Sequence, residues 1–130
     1  MSRALILSLL LAVLAGCNGG TVDRHALKND SAKIDSIACQ AALLANDVSK
    51  GASTKAYARV QTGNLGVQAS NFADALGKRP TSHGIEQKVR AEAKHAAEVA
   101  ALLAKLHRAP TNRGVADGLE QQFKRAGNCP

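Results

Sequence analysis

The stretch SHGIEQKVRAEAKHAAEVAALLAKLH, residues 82–107, decides the fold class. Ile85, Val89, Ala93, Ala96, Ala100, Leu103 and Leu106 recur at steps of three and four, the period that gathers side chains on one face of an α-helix. The positions between them are mostly charged or alanine, so the spacing predicts an amphipathic helix from about Ser82 to His107, closed by Pro110. Glu86 stands four residues before Arg90, and Lys94 four before Glu98, which reads as a solvated outer face.

The same period extends outward from this segment in both directions. Downstream, Val115, Leu119, Phe123 and Ala126 predict a short helix from Thr111 or Asn112 to Ala126, with Gly127 as its C-cap. Upstream, Ile34, Ile37, Ala38, Ala41, Leu44, Ala45 and Val48 predict a helix capped by Asp30 or Ser31 and stopped by Gly51. Between these lies a less regular stretch, beginning near Ser53 and running to Leu76, in which Leu65, Ala69, Phe72, Ala73 and Leu76 share a face. Thr62-Gly63-Asn64 interrupts its earlier turns, so it reads as one kinked helix. No segment keeps strand alternation. Connections of a few residues make sequential helices antiparallel neighbours, which gives an all-α, small up-and-down bundle of about four helices. With no Trp, one Tyr and two Phe in 130 residues, the core must be thin and built from Ala, Leu, Val and Ile.

The N-terminus has a different logic. Arg3 precedes a run from Ala4 to Leu14 that is apolar except at Ser8, too short to span a bilayer but long enough for a signal-peptide core. The run ends in Leu14-Ala15-Gly16-Cys17, which resembles the lipobox of bacterial lipoproteins. That resemblance covers residues 1–17 only. It implies cleavage of residues 1–16, a diacylglyceryl group on the thiol of Cys17, and anchoring to a membrane through that lipid. Asn18 is not the aspartate associated with inner-membrane retention, so the resemblance favours the periplasmic face of the outer membrane in a Gram-negative cell. Residues 17–29 then form the lipidated N-terminus and tether, and residues 30–130 the bundle. Under the same reading only Cys39 and Cys129 remain, in an oxidising compartment. A disulfide between them is the expectation, with two free buried thiols as the alternative. Closing a loop of about 90 residues contributes roughly 4 to 5 kcal/mol on the chain-entropy account.

The chain carries a net charge of +7, of which the signal removes only Arg3. A basic balance suits anionic headgroups or wall carboxylates, and in an envelope protein no nucleic acid is expected. Lys105, His107, Arg108 and Arg113 gather around the last turn, and Lys78, Arg79 and His83 around the one before it, which makes two small basic poles. His83, His95 and His107 recur every twelve residues, about 120° apart around a helix, so they hold no common metal ion, and His25 lies in the tether. No Gly-x-Ser-x-Gly elbow appears, and Glu86, Glu92, Glu98 and Asp117 each have a basic neighbour that favours the ionised form over a general acid. Gly114 and Gly118 read as a point of close packing. The expectation is a non-enzymatic envelope lipoprotein without cofactor, binding an envelope protein or an anionic envelope polymer. The competing expectation is a periplasmic inhibitor or immunity protein against an envelope effector such as a wall hydrolase.

Overall fold

The structure, a computed structural model, describes residues 20–130. The signal segment and Cys17 lie outside the described residues. Among the described residues four helices, α1 (Arg24–Ser49), α2 (Lys55–Lys78), α3 (Glu86–Arg108) and α4 (Arg113–Gly127), run alternately up and down. The most extensive packing joins α2 to α3 and α1 to α4. This is the all-α bundle that the periodicity dictates, and its core is alanine-rich around Phe123, Ile34, Leu103 and Leu106, all fully buried.

The first helix begins earlier than its apolar stripe, which corrects both the expected cap and the expected tether. Asp23 is the N-cap, its carboxylate accepting from the Ala26 N–H at 2.8 Å, while Asp30 and Ser31 sit inside the helix. The cap falls there because an acceptor side chain precedes free N–H groups whose own turn, through Ala26 and Leu27, packs against the core. Val22 is completely buried: its N–H donates to the Pro80 carbonyl at 2.8 Å and its carbonyl accepts from the Ser82 N–H at 2.9 Å. Residues 22–29 therefore belong to the fold.

The expected kink in α2 is absent. The helix is capped by Thr54 rather than Ser53 and stays α-helical through Thr62-Gly63-Asn64. The Thr62 hydroxyl, 1% exposed, donates to the Ala58 carbonyl at 2.7 Å, and the glycine turns lie against α3. A Cβ at Gly63 or Gly66 would come 3.9 Å from His107 or Leu103, so tertiary packing offsets the propensity cost.

Helix α3 starts at Glu86, later than Ser82, because Gly84 turns at φ +89° and Ser82 is held by Val22. The Glu86 carboxylate reaches back to accept from the Gly84 N–H at 3.0 Å. It is held below its ordinary pKa chiefly by the hydrogen bond from its own N–H, then by that of Gly84 and by the charges of His83 and Arg90. The core face carries Val89, Ala96, Val99, Leu103 and Leu106, with Ala93 and Ala100 only half-buried.

Helix α4 is rotated from its predicted stripe. Ala116, Leu119, Phe123 and Gly127 face inward and Val115 is 38% exposed. Glu120 is buried as well, its Oε1 accepting from Asn46 of α1 and from Lys124 one turn on. Gly127 ends the helix and Asn128 takes the left-handed cap at φ +49°. Gly114 and Gly118 are exposed; the close approach is at Gly127 instead. There a Cβ would fall 2.7 Å from both the Asp35 carbonyl and Cys39 Sγ. Beside it, the Cys39–Cys129 disulfide joins α1 to the end of α4 with 5.6 Å between Cα atoms.

Candidate functional site

An up-and-down bundle places the end of α1, the start of α2, the end of α3 and the start of α4 at one pole. The predicted cluster of Lys105, His107, Arg108 and Arg113 is brought together there. Lys50, Lys55 and Arg59, which sequence reasoning missed, join it from the α1–α2 turn and the first turns of α2. The junction is direct: Gly51 turns at φ +71°, and a Cβ at that position would collide with the guanidinium of Arg113. The two stretches of sequence that build the pole are at least 46 residues apart, from Arg59 to Lys105, so only the topology could have shown that they meet.

Asp47 and Asp117 bring negative charge to this end, and Glu120, beside Asn46, is already paired with Lys124. Neither Asp47 nor Asp117 is ion-paired with the basic cluster. None of Lys50, Lys55, Arg59, Lys105, Arg108 and Arg113 lies within 4.0 Å of a carboxylate among the described residues, whereas Lys78, Lys94 and Lys124 each have a partner four residues away. Unpaired cations on one end form a local positive potential open to solvent. The second predicted basic group is less available. Lys78 is near Asp74, His83 near Glu86 at 3.6 Å, and Arg79 donates through Nε to the Gly20 carbonyl at 2.9 Å.

A shallow groove of about 380 Å³ runs from the basic pole along the α2–α3 seam. Gly63, Gly66, Ala100 and Ala104 make its narrow floor, Ser70 and Asn71 line its length, and His107 with Arg108 stand at its basic end. The imidazole is positioned: Nδ1 lies 2.8 Å from the Thr62 hydroxyl. That hydroxyl donates to the Ala58 carbonyl and also lies 3.1 Å from the Arg59 carbonyl, which leaves its lone pairs free to accept from an Nδ1–H. Thr62 is the one hydrogen-bond partner of His107 among the described residues, and no carboxylate orients the ring. The arrangement suits recognition of carboxylate-bearing ligands by Arg108 and the surrounding cations.

The other histidines are dispersed. His25 pairs with Asn29 at 3.2 Å, and His95 Nε2 lies 3.5 Å from Asp35 across α1 and α3. Among the described residues no group of three or more His, Cys, Asp or Glu is placed to hold a metal ion, and no helix is long and apolar enough to cross a membrane. No protein family, curated protein or solved structure matches the chain.

Proposed function

We propose that the protein is a lipid-anchored, non-enzymatic lipoprotein of the cell envelope that presents its basic pole to an anionic envelope polymer, with wall carboxylates as the ligand groups. One observation carries this reading: the chain is pinned at Val22 at one end of the bundle, and Lys50, Lys55, Arg59, Lys105, Arg108 and Arg113, none with a carboxylate within 4.0 Å among the described residues, gather at the other. With lipid on Cys17, residues 18–21 alone separate the anchor from Val22, a reach of at most about 18 Å. Helix α1 has 26 residues, so at 1.5 Å per residue the basic pole stands about 39 Å farther from the bilayer. The predicted tether of thirteen residues would have let the domain tumble; a four-residue leash supports a fixed outward orientation. In a Gram-negative cell this faces the pole toward the wall from the periplasmic side of the outer membrane.

Each exposed charge contact contributes only about 0.2 to 1 kcal/mol. Affinity on this reading comes from several such contacts along a repeating polymer, and it falls with salt. The test is co-sedimentation with purified wall sacculi. The lipidated protein in detergent pellets with sacculi at low salt, and the triple variant Lys105→Glu, Arg108→Glu, Arg113→Glu loses most of that binding. Equal pelleting of the variant would defeat the polymer reading. Capture of a single wall-degrading enzyme by the same pole would put the inhibitor reading in its place. The anchor is tested apart from this by Cys17→Ser, which leaves unprocessed precursor or soluble protein; a variant processed and membrane-bound like the parent would rule the anchor out.

A further inference from the structure

Helices α1 and α3 run parallel, so their first turns lie side by side at the end of the bundle opposite the basic pole. Between them is a cleft of about 480 Å³ lined by Arg24, Leu27, Lys28, Ile85, Lys88 and Glu92. It combines three features that the wall-binding reading does not use. Arg24, Lys28 and Lys88 have no carboxylate within 4.0 Å among the described residues. Leu27 is half-buried and Ile85 only 3% exposed, which gives the cleft an apolar wall. Glu92 Oε1 is buried without a hydrogen-bond partner.

An unmet buried carboxylate oxygen is costly, and native structures rarely keep one without a donor close by. Lys88 is one turn before Glu92 on the same helix, in the less favourable order for pairing, and it does not reach the oxygen. The cleft therefore asks for two opposite charges on one ligand. The three cations suit a phosphate. The Glu92 oxygen suits a compact N–H donor a short linker away, and a primary ammonium supplies it where a quaternary one has no N–H to give.

We propose that this cleft binds the phosphoethanolamine headgroup of a membrane phospholipid, with phosphate on Arg24, Lys28 and Lys88 and ammonium on Glu92. The assignment to a lipid rather than a soluble phosphoamine rests on the anchor reading. Arg24 is seven residues beyond Cys17, so in the anchored protein the cleft lies at headgroup depth, and Leu27 and Ile85 meet the glycerol. Headgroup capture would add a second membrane contact to the lipid anchor and fix the tilt of the bundle.

The test is an amide chemical-shift titration of the mature lipidated protein in dodecyl maltoside micelles. The probes are glycerophosphoethanolamine, glycerophosphocholine and inorganic phosphate. Glycerophosphoethanolamine shifts Leu27, Lys88 and Ala91 saturably and binds about tenfold more tightly than glycerophosphocholine, the factor that one charge-assisted hydrogen bond supplies. Glu92→Met removes that preference while keeping the side chain's volume, and Lys28→Glu abolishes both titrations with the other amides unmoved. Equal affinity for all three probes, or a preference that survives Glu92→Met, overturns the proposal. Vesicles separate the sources: the protein reconstituted in phosphatidylethanolamine shows the same shifts without added probe, and in phosphatidylcholine it does not. Shifts from the soluble probe with none from the phosphatidylethanolamine vesicles would overturn the lipid assignment. If Cys17 carries no lipid, the protein purifies without detergent and the same titration runs in buffer, so failure of the anchor and failure of the cleft read out separately.

Discussion

Gly127 and Gly118 lie in the same helix, and the same substitution at each should move stability in opposite directions. At Gly118 nothing stands within 4 Å of the position a Cβ would take, and the residue is exposed in the helix interior. Gly118→Ala therefore gains the difference in helix propensity, about 0.8 to 1 kcal/mol. At Gly127 the new methyl would sit 2.7 Å from the backbone carbonyl of Asp35, 2.7 Å from Cys39 Sγ and 3.0 Å from Cys129 Sγ. Ordinary carbon contacts begin near 3.5 Å, so the end of α4 must retreat by roughly 0.5 to 1 Å. None of these three obstacles is the tip of a flexible side chain, and the disulfide holds the two helices together while the methyl pushes them apart. Overpacking of this kind costs about 1 to 3 kcal/mol, and the propensity gain at a terminal helical position is too small to offset it. The two variants should differ by about 2 to 4 kcal/mol in urea unfolding followed by far-ultraviolet circular dichroism. If Gly127→Ala were as stable as the parent, α4 would not close on α1 at this point, and the account of the disulfide's surroundings would be wrong.

Leu103 is fully buried beside Gly66, so Leu103→Ala should cost about 2 to 4 kcal/mol in the same unfolding assay, and a loss under about 0.5 would place the α3 stripe elsewhere. Reduction of Cys39–Cys129 should remove up to about 4 to 5 kcal/mol, with amide exchange rising first from Ala116 to the C-terminus, because α4 has only 15 residues and is marginal without its partners; uniform exchange along all four helices would contradict that. Glu86 has a lowered folded-state pKa, so its contribution is present above the unfolded value and is lost as pH falls through the folded one. Glu86→Gln should accordingly weaken the start of α3 at neutral pH and match the parent in acid, and a difference that persists at low pH would assign the effect to packing.

The helices were legible because their period is carried by residues that have nowhere else to go. Leu103 and Leu106 in α3, Ile34 and Ile37 in α1, and Phe123 in α4 are apolar at helical spacing, and each is buried. What was misread turns on residues whose role depends on a neighbour absent from the local sequence. Val22 looks like part of a polar tether until the α2–α3 loop supplies the groups for both of its backbone hydrogen bonds. Gly63 and Gly66 look like a break until α3 lies against them, and Val115 gives way to Ala116 in the core on a face where Glu120 finds Asn46 and Lys124. The basic pole was half legible for the same reason. Its α3–α4 members are adjacent in sequence, whereas Lys50, Lys55 and Arg59 arrive only through the fold.

The distribution of ion pairs follows from the same residues and bears on both proposed sites. Along the helix flanks, cations are matched at a spacing of four: Lys78 with Asp74, Lys94 with Glu98, Lys124 with Glu120. At the basic pole that partner is missing by sequence, since Ala101 and Ala104 stand one turn before Lys105 and Arg108, and Arg113 turns toward Gly51 instead of pairing with Asp117. At the opposite end Arg24 is followed one turn later by Lys28, and Lys28 by Ala32. Cations without a carboxylate within 4.0 Å among the described residues thus stand at both ends of the bundle, with Lys33, Arg90 and Arg125 also unpaired along the helices. Those ends are separated by about 39 Å along α1, several times the roughly 8 Å over which charge is screened at physiological salt. Each pole consequently acts as an independent site: charge reversal at Arg108 and Arg113 should leave the headgroup titration of Leu27 unchanged, and coupling between them would require a conformational change of the bundle rather than a shared field.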